Sequence, residues 1–117
     1  TDINLLCDVI RTLGQLRCEK AGQRIAAYLQ STNWMVRNAV VTALAAIDAQ
    51  AYRPLLMEGL KDREWWVRYN TARELCAHLS PDSLAAAVPT LNDRFASEIL
   101  QFAIQEAQIM GKGAAQA

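Results

Sequence analysis

Few side chains in this 117-residue sequence could do covalent or acid–base chemistry, and they do not gather. His78 is the single histidine. Glu74 precedes it by one helical turn, the spacing of an ordinary helix-surface pair rather than of a base oriented against a nucleophile. Cys76 falls two residues before the histidine, on another side of any helix. Cys7, Cys18 and Cys76 form an odd set without CxxC spacing, which suits neither a disulfide framework nor a zinc site. They read instead as small buried hydrophobes in a reducing compartment, the cytoplasm. No glycine-rich phosphate loop and no GxSxG elbow is present. The expectation is a non-enzyme without metal or cofactor.

The remaining conspicuous side chains suit recognition, and they recur. The segment 61–79, KDREWWVRYNTARELCAHL, repeats the pattern of QSTNWMVRNAVVTALAAID at 30–48. A shift of 31 residues places Ser31 on Asp62, Trp34 on Trp65, Met35 on Trp66, Val36 on Val67, Arg37 on Arg68 and Leu44 on Leu75. Self-similarity at such a period marks a stacked repeat protein. The same shift aligns Arg11, Thr42 and Arg73, then Asp8, Ala39 and Asn70, then Thr12, Ala43 and Glu74. Trp34 and Trp65, at equivalent positions in successive first turns, read as packing residues. Trp66 has Met35 as its counterpart and reads as an exposed anchor for a protein ligand.

The elements that must position these residues follow from apolar periodicity. Residues 1–17 read as a helix with Asp2 as N-cap and Leu6, Val9, Ile10, Leu13 and Leu16 at three- and four-residue spacing. It matches the second helix of the later pairs, so the chain reads as a fragment whose first repeat is truncated. A short helix spans 23–30, and Ser31 or Thr32 is the expected cap of a long one reaching Ile47, apolar nearly all round. Pro54 opens a short helix over 55–60, and Asp62 is the expected cap of a long helix over 63–79. Ser80-Pro81-Asp82 starts another, which Pro89 should shorten. Asn92 or Asp93 then starts the last helix, with Ile99, Leu100, Phe102, Ala103 and Ala107 facing inward and Gly111 as its stop. The domain organisation is a repeat domain over 1–110 and a flexible tail over 111–117.

Length and charge narrow the partners. One domain's worth of chain can bury a core but not two. Twelve basic and twelve acidic residues cancel, whereas a nucleic-acid binder needs unopposed cations to displace counterions. No apolar run is long enough to span a bilayer.

Two helices per repeat, with Asp or Ser at the turn and Val-Arg five and six residues on, resembles bacterial HEAT-like repeats of the PBS-lyase type. Asp62, Val67 and Arg68 carry the likeness, with Ser31, Val36 and Arg37 a looser copy. In the last repeat Asp93 holds the turn but Ile99 stands where Arg is expected, which reads as the end of the stack. The resemblance implies an all-α fold, a right-handed α-α superhelix of about seven helices. It implies that the turn acid and the helix Arg of adjacent repeats bond to each other, so Arg37, Asp62 and Arg68 are structural. It also implies that the second helices line a concave surface, where Arg11, Thr42, Asn70, Arg73 and Glu74 are expected to meet a protein partner, with Trp66 a separate exposed anchor for it. HEAT-like di-iron enzymes are excluded, since the single His78 is followed by Leu79. A nucleic-acid-binding or DNA-repair protein using Trp66, Arg68 and Arg73 is one alternative, and a HEAT-like lyase or chaperone the other. The truncated first repeat would expose an apolar end helix able to form a homodimer.

Overall fold

The computed structural model describes residues 2–116, with side chains through Gly111. Among them are seven α-helices: α1 (Ile3–Gln15), α2 (Gly22–Ala27), α3 (Trp34–Asp48), α4 (Arg53–Gly59), α5 (Trp65–His78), α6 (Pro81–Ala87) and α7 (Arg94–Gln116). No strand occurs among the described residues. Long helices α1, α3, α5 and α7 pack successively side by side, and the short α2, α4 and α6 each pack on the long helix that follows. Each pair buries one face alone, and stacking makes the core continuous.

The register of the repeats is visible in burial. Val36, Val40 and Leu44 of α3 and Val67, Thr71 and Leu75 of α5 are buried stripes one period apart. A Cβ on Gly59 of α4 would meet the Thr71 hydroxyl, so this stripe faces the short helix of its own pair. On α7 the stripe is Ala96, Leu100 and Ile104. The step from Leu75 to Ile104 is 29 residues, two fewer than the earlier 31. The turn before α7 accounts for the difference. Leu60 and Leu91 are both buried and keep the period, but α7 starts at Arg94, three residues after Leu91, where α5 starts five after Leu60. Asn92 in the left-handed region (φ 53°) makes that short turn possible, a conformation Asn tolerates better than most.

The shortened turn changes which α7 residues face inward. Leu100 and Ala103 are buried as expected, whereas Ile99 and Ala107 are only half-buried and Phe102 is 57% exposed. In true register the counterpart of Arg68 is Ser97, not Ile99, and its hydroxyl lies 3.5 Å from the Val88 carbonyl. Glu98, Gln101 and Gln105 of α7 are exposed, where their counterparts Tyr69, Ala72 and Cys76 of α5 are half-buried or buried.

Several boundaries differ from the sequence reading. α1 ends at Gln15, because Arg17 takes the left-handed conformation (φ 52°). Its N–H bonds Gly14 O and that of Cys18 bonds Leu13 O, the crossed pair that closes a Schellman end. The cap of α3 is Asn33, whose side chain accepts from Met35 N–H, rather than Ser31 or Thr32. Asp62 likewise lies two residues before the N-cap Glu64. Asp2 and Ser80 do cap α1 and α6, and Pro89 sits in a 3-10 turn that replaces the end of α6. Gly111 does not stop α7, which continues to Gln116, so the expected tail from 112 is helical in backbone through that residue. Ala117 lies outside the described residues.

Gly14 lets the backbones of α1 and α3 approach closely. A Cβ there would lie 2.6 Å from the Ala43 Cα, so α1 and α3 touch along a seam of small residues.

Candidate functional site

The arginine ladder fixes the relative angle of two pairs. Arg37, 4% exposed, donates from Nε and Nη2 to the two Asp62 carboxylate oxygens at 2.9 and 3.0 Å. Its Nη1 donates to Ser31 O at 2.9 Å, so every arm of the fork is used. Arg68 repeats the last of these bonds, Nη1 donating to Asp62 O at 2.7 Å. It makes no ion pair among the described residues. The short turn before α7 is the reason: Asp93 has become the cap itself and accepts from Ala96 N–H. Burial alone would push the Asp62 carboxyl up. The Arg37 hydrogen bond, the Glu64 N–H and the charges of Arg37 and Arg63 outweigh that and hold it below the ordinary carboxylate value.

The residues expected on the inner surface divide. Asn70 Nδ2 donates to Thr42 Oγ1 at 2.9 Å, and both are half-buried, so these two tie α5 to α3. Glu74 is half-buried with an oxygen 3.5 Å from His78 Nε2. Burial raises its carboxyl above the ordinary value, and His78 and Arg73 pull it back only in part. Arg11 is exposed on α1, 3.7 Å from Asp8. Arg73 and Trp66 remain open to solvent. Burial, and secondarily Glu106, pushes the Cys76 thiol up, which makes it a poor nucleophile. Cys7 is buried, Cys18 and Cys76 half-buried, and none is in a disulfide.

The side of the long helices turned away from the short ones carries a band of exposed apolar residues. Met35, Trp66 and Phe95 occupy equivalent positions once the two-residue shortening is included, and they are 39, 54 and 69% exposed. Trp34 and Trp65 are exposed too, at 36 and 48%, so neither closes the stack edge as packing alone would require. Trp65 stacks on Tyr69 with ring centroids 5.1 Å apart and an interplanar angle of 6°. Trp66 stands edge-on to Trp65 at 4.8 Å. The Arg73 guanidinium lies 5.7 Å from the Tyr69 ring centre. Between α5 and α7 these rings open a groove of about 270 Å³, bounded by Trp65, Arg68, Tyr69, Phe95, Glu98, Ile99 and Phe102. A larger depression of about 580 Å³ between α4 and α6 is lined by Arg53, Met57, Lys61 and Ala86, without an aromatic ring.

The sequence reading missed Phe95 and placed Phe102 inside. A signal was there: α7 carries two apolar stripes, Ala96-Leu100-Ile104 and Phe95-Phe102-Ile109, and only one can face a neighbouring pair.

Two helices per repeat, a 31-residue period and a buried turn Asp–helix Arg pair joining successive pairs describe one repeat class. The HEAT-repeat family model matches residues 1–64, just over half of the chain. The chain belongs to the HEAT-repeat family. No curated protein and no solved structure matches it. The matched region covers the first HEAT pairs through the Asp62 turn, and the described structure continues the same packing through α7. No helix among the described residues is long and apolar enough to cross a membrane. No cluster of three His, Cys, Asp or Glu that could hold a metal occurs among them.

Proposed function

We propose that this HEAT-repeat chain is a non-catalytic scaffold that recognises a protein partner through the long-helix face of α3, α5 and α7. The observation that carries this reading is the exposed aromatic band: Trp65, Trp66, Phe95 and Phe102 lie on one side of adjacent helices. Contiguous exposed rings on a folded surface are costly in water and typical of interaction anchors. Stacked helical pairs offer extended surfaces and few enclosed pockets, which suits protein recognition better than catalysis. The band supports moving the binding surface away from Arg11, Thr42 and Asn70, and towards Trp66, Arg73 and the two phenylalanines. The Asp62-x-x-Trp65-Trp66-Val67-Arg68 segment supports the bacterial PBS-lyase type of repeat, and the unpaired thiols support a cytoplasmic setting.

A second reading concerns α1. Leu5, Val9 and Leu16 are exposed, at 61, 47 and 72%, at the positions where Val36, Val40 and Ile47 of α3 are covered by its short helix. This exposed apolar stripe supports self-association through α1.

One experiment addresses both. A photo-crosslinking amino acid is placed at Phe102, at Leu55 on the short-helix layer, or at Val9. Expected are a protein adduct from position 102, little from 55, and a band of twice the chain mass from 9. Adducts from 55 but not 102 would overturn the long-helix reading, and absence of the doubled band would remove self-association.

A further inference from the structure

The fold shows three times over what covers a stripe like that of α1. Each short helix brings to the core two aliphatic side chains four residues apart: Ile25 and Leu29 at α2 and the 3-10 turn extending it, Leu56 and Leu60 at α4, Leu84 and Val88 at α6. These helices pack on α3, α5 and α7. A turn of a few residues joins each to its long partner, so it runs back along that partner in the opposite direction. The equivalent side of α1 carries no such cover among the described residues. It borders an open groove of about 430 Å³ between α1 and α2, lined by apolar residues of both helices together with the exposed cations Lys20 and Arg24.

Among the exposed large apolar side chains of the described residues, the pair with that four-residue spacing is Leu5 and Val9, on α1 itself. The pair belongs to a longer seam. Leu5, Val9, Thr12 and Leu16, all exposed, follow at steps of four, three and four, the spacing by which one helix packs along another. The Thr12 hydroxyl donates to Asp8 O at 2.8 Å, so the residue can enter an apolar seam without an unmet donor. The open stripe and the element able to fill it are therefore the same helix.

We infer that α1 pairs antiparallel with α1 of a second copy about a two-fold axis, with Leu5 opposite Leu16 and Val9 opposite Thr12 across the seam. This rests on self-association through α1 and names the segment that the second copy supplies and its register. The two-fold axis makes the seam self-complementary, covers both stripes at once and closes the assembly at two chains. Leu6 and Leu13 flank the seam on one side. On the other side Asp8 comes opposite Gln15, so no like charges meet along it. Four layers on a 13-residue helix make a small interface, so the pairing is reversible.

The test joins sedimentation equilibrium of the intact chain, at up to about 0.5 mM for so small an interface, to disulfide trapping. The wild-type chain should form dimers and no larger species. Val9→Asp should weaken the dimer at least about tenfold and Thr12→Leu should strengthen it by a similar factor, since each change enters the seam twice. Both positions are exposed, and circular dichroism confirms folding of each variant. For trapping, chains with Leu5→Cys and chains with Leu16→Cys, both also carrying Cys18→Ser, are oxidised separately and mixed. The doubled mass is expected from the mixture and little from either alone. A dimer that Val9→Asp weakens but that is trapped from Leu5→Cys alone, or is not trapped in the mixture, would overturn this pairing and leave self-association through α1 standing. A wild-type chain that stays monomeric, or a dimer indifferent to Val9→Asp, would remove both.

Discussion

Replacing Asp62 with Ala is expected to destabilise the chain by about 3–5 kcal/mol at neutral pH, the range for breaking a buried ion pair from one side. The cost comes from what is left behind. Arg37 is 4% exposed, and without the carboxylate its guanidinium keeps only the Ser31 carbonyl. The Glu64 N–H loses its acceptor as well. Arg68→Ala should cost much less, because Arg68 is half-buried and makes one bond to a carbonyl. The pH dependence has a definite sign. The folded carboxyl of Asp62 sits below its ordinary value, so its contribution is present above the unfolded pKa and is lost as pH falls through the folded one. Urea titrations should therefore show the gap between wild type and Asp62→Ala at neutral pH and see it close in acid below the ordinary aspartate range. Equal stability at neutral pH would contradict the buried pair.

The second large effect concerns binding. Trp66→Ala combined with Phe102→Ala should weaken the partner crosslinked at position 102 by at least about 100-fold, since aromatic anchors at interface centres commonly exceed about 2 kcal/mol each. Folding stability should change by no more than about 1 kcal/mol, because both rings are more than half exposed. Leu55→Ala, a comparable loss of exposed apolar surface on the short-helix layer, should leave affinity unchanged. Titration of the purified partner against the three proteins reads the difference. A double variant that binds as wild type would show that the rings serve something else.

The alternation of short and long helices was legible because apolar spacing and turn residues agree over three pairs. Val36, Val67, Leu44 and Leu75 fall on a constant period and are all buried. What failed was the assumption that the period stays constant. Two residues missing from the turn before α7 shift each position of that helix by about 200° around its axis, at about 100° per residue. The expected arginine position then moves from Ile99 to Ser97, and Phe102 moves from the core to the surface. Because Phe102 and Phe95 help form the groove, the candidate site was partly hidden by the same event. The caps were read two residues early at Ser31 and Asp62 because such residues also close side-chain turns ahead of a cap, as both do here. Thr42 and Asn70 recur with the repeat, but recurrence alone does not separate a surface from a seam. Their mutual hydrogen bond places them in the seam.

All three tryptophans of the chain lie in the first turns of α3 and α5, 36–54% exposed, so their fluorescence reports on the proposed surface directly. The decisive measurement is iodide quenching of the wild-type chain, free and saturated with a partner whose own tryptophans have been replaced by phenylalanine. The expected result is strong quenching of the free chain and marked protection on saturation. Equal quenching of the free and saturated chain would contradict the assignment of this face as the one that binds.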